Sequence, residues 1–281
     1  MTIFPDALQT LEILPNWQKG SGVHFKLNIM NTENNKDIFF PAGTAEVNII
    51  PVMQGDEQMK VEAGDLPDTL PILALRNAVL FPGMVYPVTI GREKSMTLIK
   101  DAEKRDLFIG AVPQVDVTVE EPSEKDLYEY GTVSRVMKVL EMPDGTITAI
   151  IQGVKRIRMA GVVSYEPYIT ARVKYIDDII PENDNSTKMI AESLKEKAAV
   201  IIKSSSFAPK EAIGALKSID NYAFLVNFIA TTVEIENFME KVQLLGIDDI
   251  TLRAMKLLQV LDTQIQLLKI KQEINQKVKS D

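Results

Sequence analysis

Between Gly131 and Val163 the chain reads GTVSRVMKVLEMPDGTITAIIQGVKRIRMAGVV, and this stretch limits the fold more than any other. Val133, Val136 and Val139 lie in a run of strand character, and Pro143, Asp144 and Gly145 supply a turn. Thr146, Thr148 and Ile150 then alternate with Ile147, Ala149 and Ile151 on the return. Successive side chains of a strand point to opposite faces, so a period of two after such a turn predicts a hairpin.

The residues around it, from Leu70 to Asp177, have the same texture. LPILALR and VYPVTIG are apolar runs separated by FPG, where Pro82 fixes φ and Gly83 takes the permissive position of a turn. REKSMTLIKDAEKR puts Met96, Ile99 and Ala102 on one helical face, which predicts a short helix. LFIGAV and YITARVKYID add strands. Many short strands with glycine turns and one small helix predict a compact β-barrel or sandwich rather than a wound parallel sheet.

From about Asn185 the period becomes helical. Ile190, Leu194, Ala198, Ile201 and Ile202 recur at helical spacing, Pro209 opens a second helix, and Asp220 is placed to cap a third carrying Phe224, Leu225 and Phe228. Thr231 and Glu234 have the spacing of a capping box, with Gly246 as the glycine that ends that helix. A last helix starts at Asp248 or Asp249 and meets no breaker before Asp281. At 1.5 Å per residue it is roughly 50 Å long, more than short neighbours cover, so part of it is expected to protrude. On the N-terminal side, VHFKLNIMNTENNKDIFF pairs as a hairpin across its Asn-rich turn, and Gln54 to Asp68 reads as a linker. The expected class is α+β. Its parts are an extension and linker, partly disordered, over 1–68, a β-domain over 69–178, a helical bundle over 185–246 and a long helix over 247–281.

Composition removes several functions. No cysteine and a single histidine, His24, exclude disulfides and thiolate metal sites and leave no basis for a metal centre. A net charge of −8 disfavours a phosphate-backbone binder. No apolar run approaches a membrane span and the N-terminus lacks a basic leader, so a cytoplasmic protein is expected. In GREKS, Glu93 stands where a phosphate loop needs glycine. Ser193 and Lys195 are two apart on a helix and point to different faces. Asp177 with Asp178 and Asp248 with Asp249 are neighbours in sequence, suited to a strand end and a helix start. No catalytic residue, metal ligand or bound cofactor is expected.

Two apolar features remain. Leu80, Phe81, Met84, Val85 and Tyr86 crowd the FPG turn, either as a plug or as a partly exposed patch that holds unfolded chains, with Met84 lending adaptability. On the last helix a broad stripe ending in Leu261, Ile265 and Leu268 narrows to Ile270, Ile274 and Val278, a seam suited to a partner helix.

Leu70, Pro71, Leu73, Leu75, Arg76, Phe81, Pro82, Gly83, Met84, Pro87, Gly91, Arg92 and Ser95 resemble the opening of the N-terminal domain of the bacterial Lon family of ATP-dependent proteases. LYEYGTVSRV, MPDGTITAIIQGVKRI and YITARV follow in the family's order, and Met239 to Val278 resembles its bundle and stem. The similarity covers about Ile50 to Asp281; residues 1–48 carry none of it, and Ala74 stands where the family commonly has proline. The resemblance implies a small PUA-like β-barrel, then a helical bundle and a long stem helix. It further implies a hexameric parent whose ATPase and serine–lysine protease modules, with ATP and Mg, lie beyond the stem, so that the chain reads as an excised N-terminal region. The function implied is recognition of unfolded or damaged protein in quality control. The alternative from another class is a free-standing β-barrel RNA-binding protein, supported by the basic run with Lys155, Arg156 and Arg158.

Overall fold

The computed structural model describes residues 8–13, 23–29 and 36–40 as backbone, and 66–142, 145–181, 185–204, 211–233, 235 and 237–280, with side chains as far as 274. The chain divides into two compact units, Met1–Val47 and Asn48–Asp281.

The first unit is a three-stranded antiparallel sheet of order β1-β2-β3: β1 (Leu8–Ile13), β2 (Val23–Ile29) and β3 (Lys36–Phe40). The expected hairpin is the β2–β3 pair, in register from Val23 opposite Phe40 to Leu27 opposite Lys36. β1 was not anticipated. Most of the linker expected over Gln54–Asp68 lies outside the described residues, which resume at Leu66.

The second unit begins with β4 (Thr69–Leu75) and β5 (Val85–Ile90), followed by α1 (Glu93–Arg105) and β6 (Phe108–Pro113). The predicted long hairpin is β7 (Tyr130–Glu141) with β8 (Ile147–Ser164), and β9 (Thr170–Ile176) completes a six-stranded sheet of order β5-β8-β7-β6-β4-β9. β8 is long enough to serve twice. Its first half pairs with β5 and β7, and its second half, bent by irregularities near Met159 and Val162, pairs with β9. Because β9 also pairs with β4, the order of pairing returns to β8.

Alternation along the strands divides the apolar residues between two cores. Leu70 and Ile72 of β4 join Val112, Val133, Ile157 and Ala171 in one cluster. Leu73 and Leu75, on the other face of β4, join a larger cluster that runs unbroken through Ile99 of α1 into the helices at Phe228, Leu257 and Leu261.

Those helices are α2 (Asn185–Ser204), α3 (Glu211–Ser218), α4 (Tyr222–Thr232), α5 (Phe238–Leu245) and α6 (Ile250–Ser280). Their caps differ from expectation. Asn221, not Asp220, caps α4 by accepting from Phe224 N at 2.9 Å. Thr231 belongs to the end of α4, where its hydroxyl donates to Asn227 O, and Asn237 caps α5 instead. Gly246 ends α5 in a right-handed conformation, so backbone freedom is not its role; a Cβ there would stand 3.1 Å from the Tyr130 ring. Asp249 caps α6, accepting from Thr251 N at 2.7 Å and Leu252 N at 3.0 Å. Pro209 and Glu234 lie outside the described residues.

Candidate functional site

The apolar turn is not a surface. Leu80, Phe81 and Met84 are at most 1% exposed, and Val85 and Tyr86 are half-buried. The expectation of a partly exposed, client-holding patch is therefore corrected in favour of a plug. The reason is that the turn is held from two sides. On the sheet side, Gly83 N donates to Gly153 O at 2.9 Å, Gly153 N donates to Met84 O at 2.9 Å, and the Thr132 hydroxyl donates to Leu80 O at 2.6 Å. Gly153 must be glycine, since a Cβ would come within 2.6 Å of Phe81 O. On the helix side, Asn227 of α4 donates to Pro82 O at 3.2 Å, and Phe224 lies against Gly83, whose φ of +81° suits glycine. Sequence patterning could identify the crowd of apolar residues but not the arrival of α4 over it.

Beside the turn lies an ionic cluster, two buried arginines met by carboxylates that reach toward solvent, that no local motif announces. Arg156 of β8 donates through Nε to Asp178 Oδ1 at 2.8 Å, and through Nη1 to Asp248 Oδ1 at 3.1 Å and to Leu245 O at 3.0 Å. Arg253 of α6 donates to the same Asp178 oxygen at 2.8 Å, to Asn227 Oδ1 at 3.1 Å and to Ile247 O. Both arginines are at most 1% exposed. Burial pushes the Arg253 guanidinium below its ordinary value; Asp178 opposes this and Arg156 reinforces it. The two aspartate pairs thus do converge, through Asp178 and Asp248, but on cations rather than on a reacting centre. The cluster joins β8, the ends of α5 and β9, α4 and α6, which makes it a joint of the unit.

The basic run is consumed by the same architecture. Arg156 is buried in the joint, Lys155 pairs with Asp177, and Arg158 donates to Glu129 at 2.6 Å. Only Arg158 of the three stays open to solvent, and there it faces Glu129, which leaves the basic run without the concentrated positive face a phosphate backbone needs.

Exposed apolar side chains gather instead where α6 begins. Ile179 N donates to Asp248 O and Ile250 N to Ile179 O, which fixes the segment after Asp178 against the start of the helix. Ile179 and Ile180 are 61% and 66% exposed there, and Leu252 and Met255, three apart on one face of α6, are 58% and 50% exposed. The sequence signal was available: two isoleucines directly after two aspartates, outside any strand pattern. Farther along α6, Leu261 is fully buried, Ile265 and Leu268 are half-buried, and Ile270 and Ile274 are exposed. The side chain of Val278 lies outside those described. Among the described residues there is no cluster of histidine, aspartate and glutamate that could hold a metal ion, and no helix long and apolar enough to cross a membrane.

An α+β unit whose larger apolar core runs from the sheet into the helices, with exposed apolar side chains where α6 begins, is the class of fold these elements define. The family described as the ATP-dependent protease La (LON) substrate-binding domain matches residues 69–263, and the chain belongs to that family. It is 41% identical to the Lon protease of Flavobacterium johnsoniae over 84% of this chain and 29% of that protein. It is 39% identical to that of Cytophaga hutchinsonii over 85% and 29%, and 33% identical to that of Porphyromonas gingivalis over 92% and 30%. The chain therefore spans about 30% or less of the length of these relatives. In fold it is similar to the N-terminal domain of a Mycobacterium avium complex Lon protease, with a TM-score of 0.54 and 18% identity over 69% of this chain and 98% of that one. A Lon N-terminal domain protein from Xanthomonas campestris gives a TM-score of 0.50 at 18% identity, over 68% and 96%.

Proposed function

We propose that this chain is the substrate-engaging and assembly-supporting region of a Lon-type protease, holding unfolded or damaged proteins for a motor encoded elsewhere in the parent. The observation that carries this reading is the exposed apolar group of Ile179, Ile180, Leu252 and Met255 at the base of α6. Exposed apolar groups rimmed by polar residues suit protein partners, and methionine adapts to varied ones. The working parts are the strand-rich segment 69–178, whose returning order of pairing we take as a small PUA-like barrel, the bundle 185–246, and the stem 247–281. The stem, with Ile270 and Ile274 uncovered, would couple to the motor or to a neighbouring copy. In a cytoplasmic hexamer, linking weak sites raises overall binding by roughly 10² to 10⁴ without any new contact. ATP and Mg would act in the parent's motor.

Capture of unfolded casein, followed by fluorescence anisotropy, tests the proposal. Leu252→Asp with Met255→Asp should weaken capture at least about tenfold, with a thermal midpoint close to that of the unchanged chain. Casein binding that is absent, or indifferent to both substitutions, would remove this group as the site.

A further inference from the structure

A cavity of about 160 Å³ lies beside β4, lined by Ile72, Ala74, Arg92, Lys94, Tyr168 and Ile169 among others. Its position follows from how β4 is paired. β6 runs along Ile72–Leu75 on one side, but β9 covers the other side only along Thr69–Pro71, and the last bond there is Ile72 N to Ile169 O at 2.8 Å. Backbone groups two residues apart in a strand point to the same side. Ile72 points away from β6, and Leu75, at odd spacing from it, accepts from Gln114 N as β6 ends. Ala74 therefore directs its N–H and C=O away from β6 and toward the cavity, and among the described residues no strand pairs with it on that side. A strand edge whose donor and acceptor meet no partner among the described residues is a template for another extended segment.

The rim carries charges of both signs. Arg76 pairs with Glu120 at 2.7 Å, and Lys94 pairs with Glu121 at 3.3 Å and Glu166 at 2.7 Å. These three glutamates are 71–76% exposed, so they meet the cations from the water side, where another carboxylate can take their place. Arg92 is short of a partner. Its Nη2 is used by Gln114 and Val119, but its buried Nε makes no hydrogen bond, and the Glu120 carboxylate stands 3.8 Å away. The floor is apolar, formed by Ile72 and Leu98 with Tyr168 and Ile169.

We propose that this recess binds an extended acidic peptide segment by strand addition at Ala74, its carboxylates replacing Glu120 and Glu121 on Arg76, Arg92 and Lys94. The inference rests on the reading of the chain as a substrate-engaging region and names a class of segment that this chain, with alanine where the family commonly has proline, selects. A compact small molecule is the poorer fit, because sites that enclose one run to about 300–1,000 Å³. Backbone pairing supplies affinity with little demand on side-chain identity, and the unfilled Nε of Arg92 favours a carboxylate within reach of it.

The test uses a fluorescein-labelled peptide of alternating valine and glutamate, its valine–lysine counterpart, and a version N-methylated at alternate residues. The chain should bind the first and bind the other two at least about tenfold more weakly. Ala74→Pro removes the N–H donor but no bond of the sheet, and an unpaired strand edge accepts proline. That variant should keep its thermal midpoint and lose the acidic peptide by the same factor. If it does not fold, the N-methylated peptide on the unaltered chain decides. No binding of the acidic peptide, equal binding of the lysine or N-methylated version, or full binding by a folded Ala74→Pro would each overturn the inference. Casein capture that persists in those cases leaves the proposed function standing; failure to capture casein at all strikes the function itself.

Discussion

Arg156 and Arg253, from a strand and a helix distant in sequence, donate to one and the same oxygen, Oδ1 of Asp178, at 2.8 Å each. Asp248 supplies the second negative charge at 3.1 Å from Arg156, so the joint holds two buried cations and two carboxylates. A buried ionic group adds little when compared with a well-packed apolar one, but it is costly to break from one side.

Asp178→Asn should therefore cost about 3–5 kcal/mol, because it leaves two guanidinium groups facing a neutral amide. Urea denaturation should show a lower midpoint with an unchanged slope. A loss under about 1 kcal/mol would mean that water reaches the joint and screens it.

Met84 is 0% exposed, so Met84→Asp should unfold the chain or lower its stability by several kcal/mol, as uncompensated burial of a carboxylate does. Circular dichroism melting reads this directly. A near-normal midpoint would restore the turn as a surface and reopen it as a place for clients.

Tyr222 has a buried hydroxyl with no hydrogen-bond partner, and burial, reinforced by Asp249, pushes it up to about 12 from 10.0. Tyr175 is pushed up to about 12 as well, by burial and then Asp68, while its hydroxyl donates to Pro67 O at 2.6 Å. The folded chain thus keeps both protons where the unfolded chain has begun to lose them near pH 10. Stability should be intact below about pH 10 and fall as pH rises from there toward about 12. Tyr222→Phe should flatten that fall and, by removing the orphan hydroxyl, leave stability at pH 7 unchanged or raise it by about 1 kcal/mol. Urea midpoints from neutral to alkaline pH check both signs.

Along α6 the cost of truncation should collapse beyond Leu268. Leu261→Ala should cost about 2–5 kcal/mol, whereas Ile274→Ser should stay within about 0.5 kcal/mol in the dilute chain. Amide exchange should be slow near Leu257 and fast after Lys269. Slow exchange over the whole helix in a proven monomer would contradict the exposure of Ile270 and Ile274.

Features legible in the sequence were those written in neighbouring residues. The β7–β8 hairpin could be read because turn and alternation lie within one stretch, and α1 because its apolar face repeats within three turns. Caps were harder, since Asp220 and Asn221 are both competent and only the direction of the chain decides between them. The burial of Phe81 depends on α4, and the meeting of Asp178 with Asp248 depends on Arg156; neither relation leaves a local trace. The basic run is ambiguous for the same reason, because charge in sequence does not tell whether a partner waits across the fold. Ile179 and Ile180 leave a trace in the sequence, but it is a weak one, because they sit between two segments with strong periods and share neither.

Asp178 and Arg253 stand 75 positions apart along the chain, and this interval has a meaning for biosynthesis. At about 5–20 residues per second, the ribosome needs roughly 4–15 s to deliver the second partner after the first. Early in that interval the sheet can close on itself, but the turn at Phe81 has no helix over it until α4 is made, Arg156 waits with one of its two carboxylates until Asp248 follows, and Asp178 lacks its second cation to the end. A nascent chain in that interval displays an apolar face much like those its mature form is proposed to grip, so chaperone occupancy should peak before Arg253 leaves the exit tunnel and drop after it.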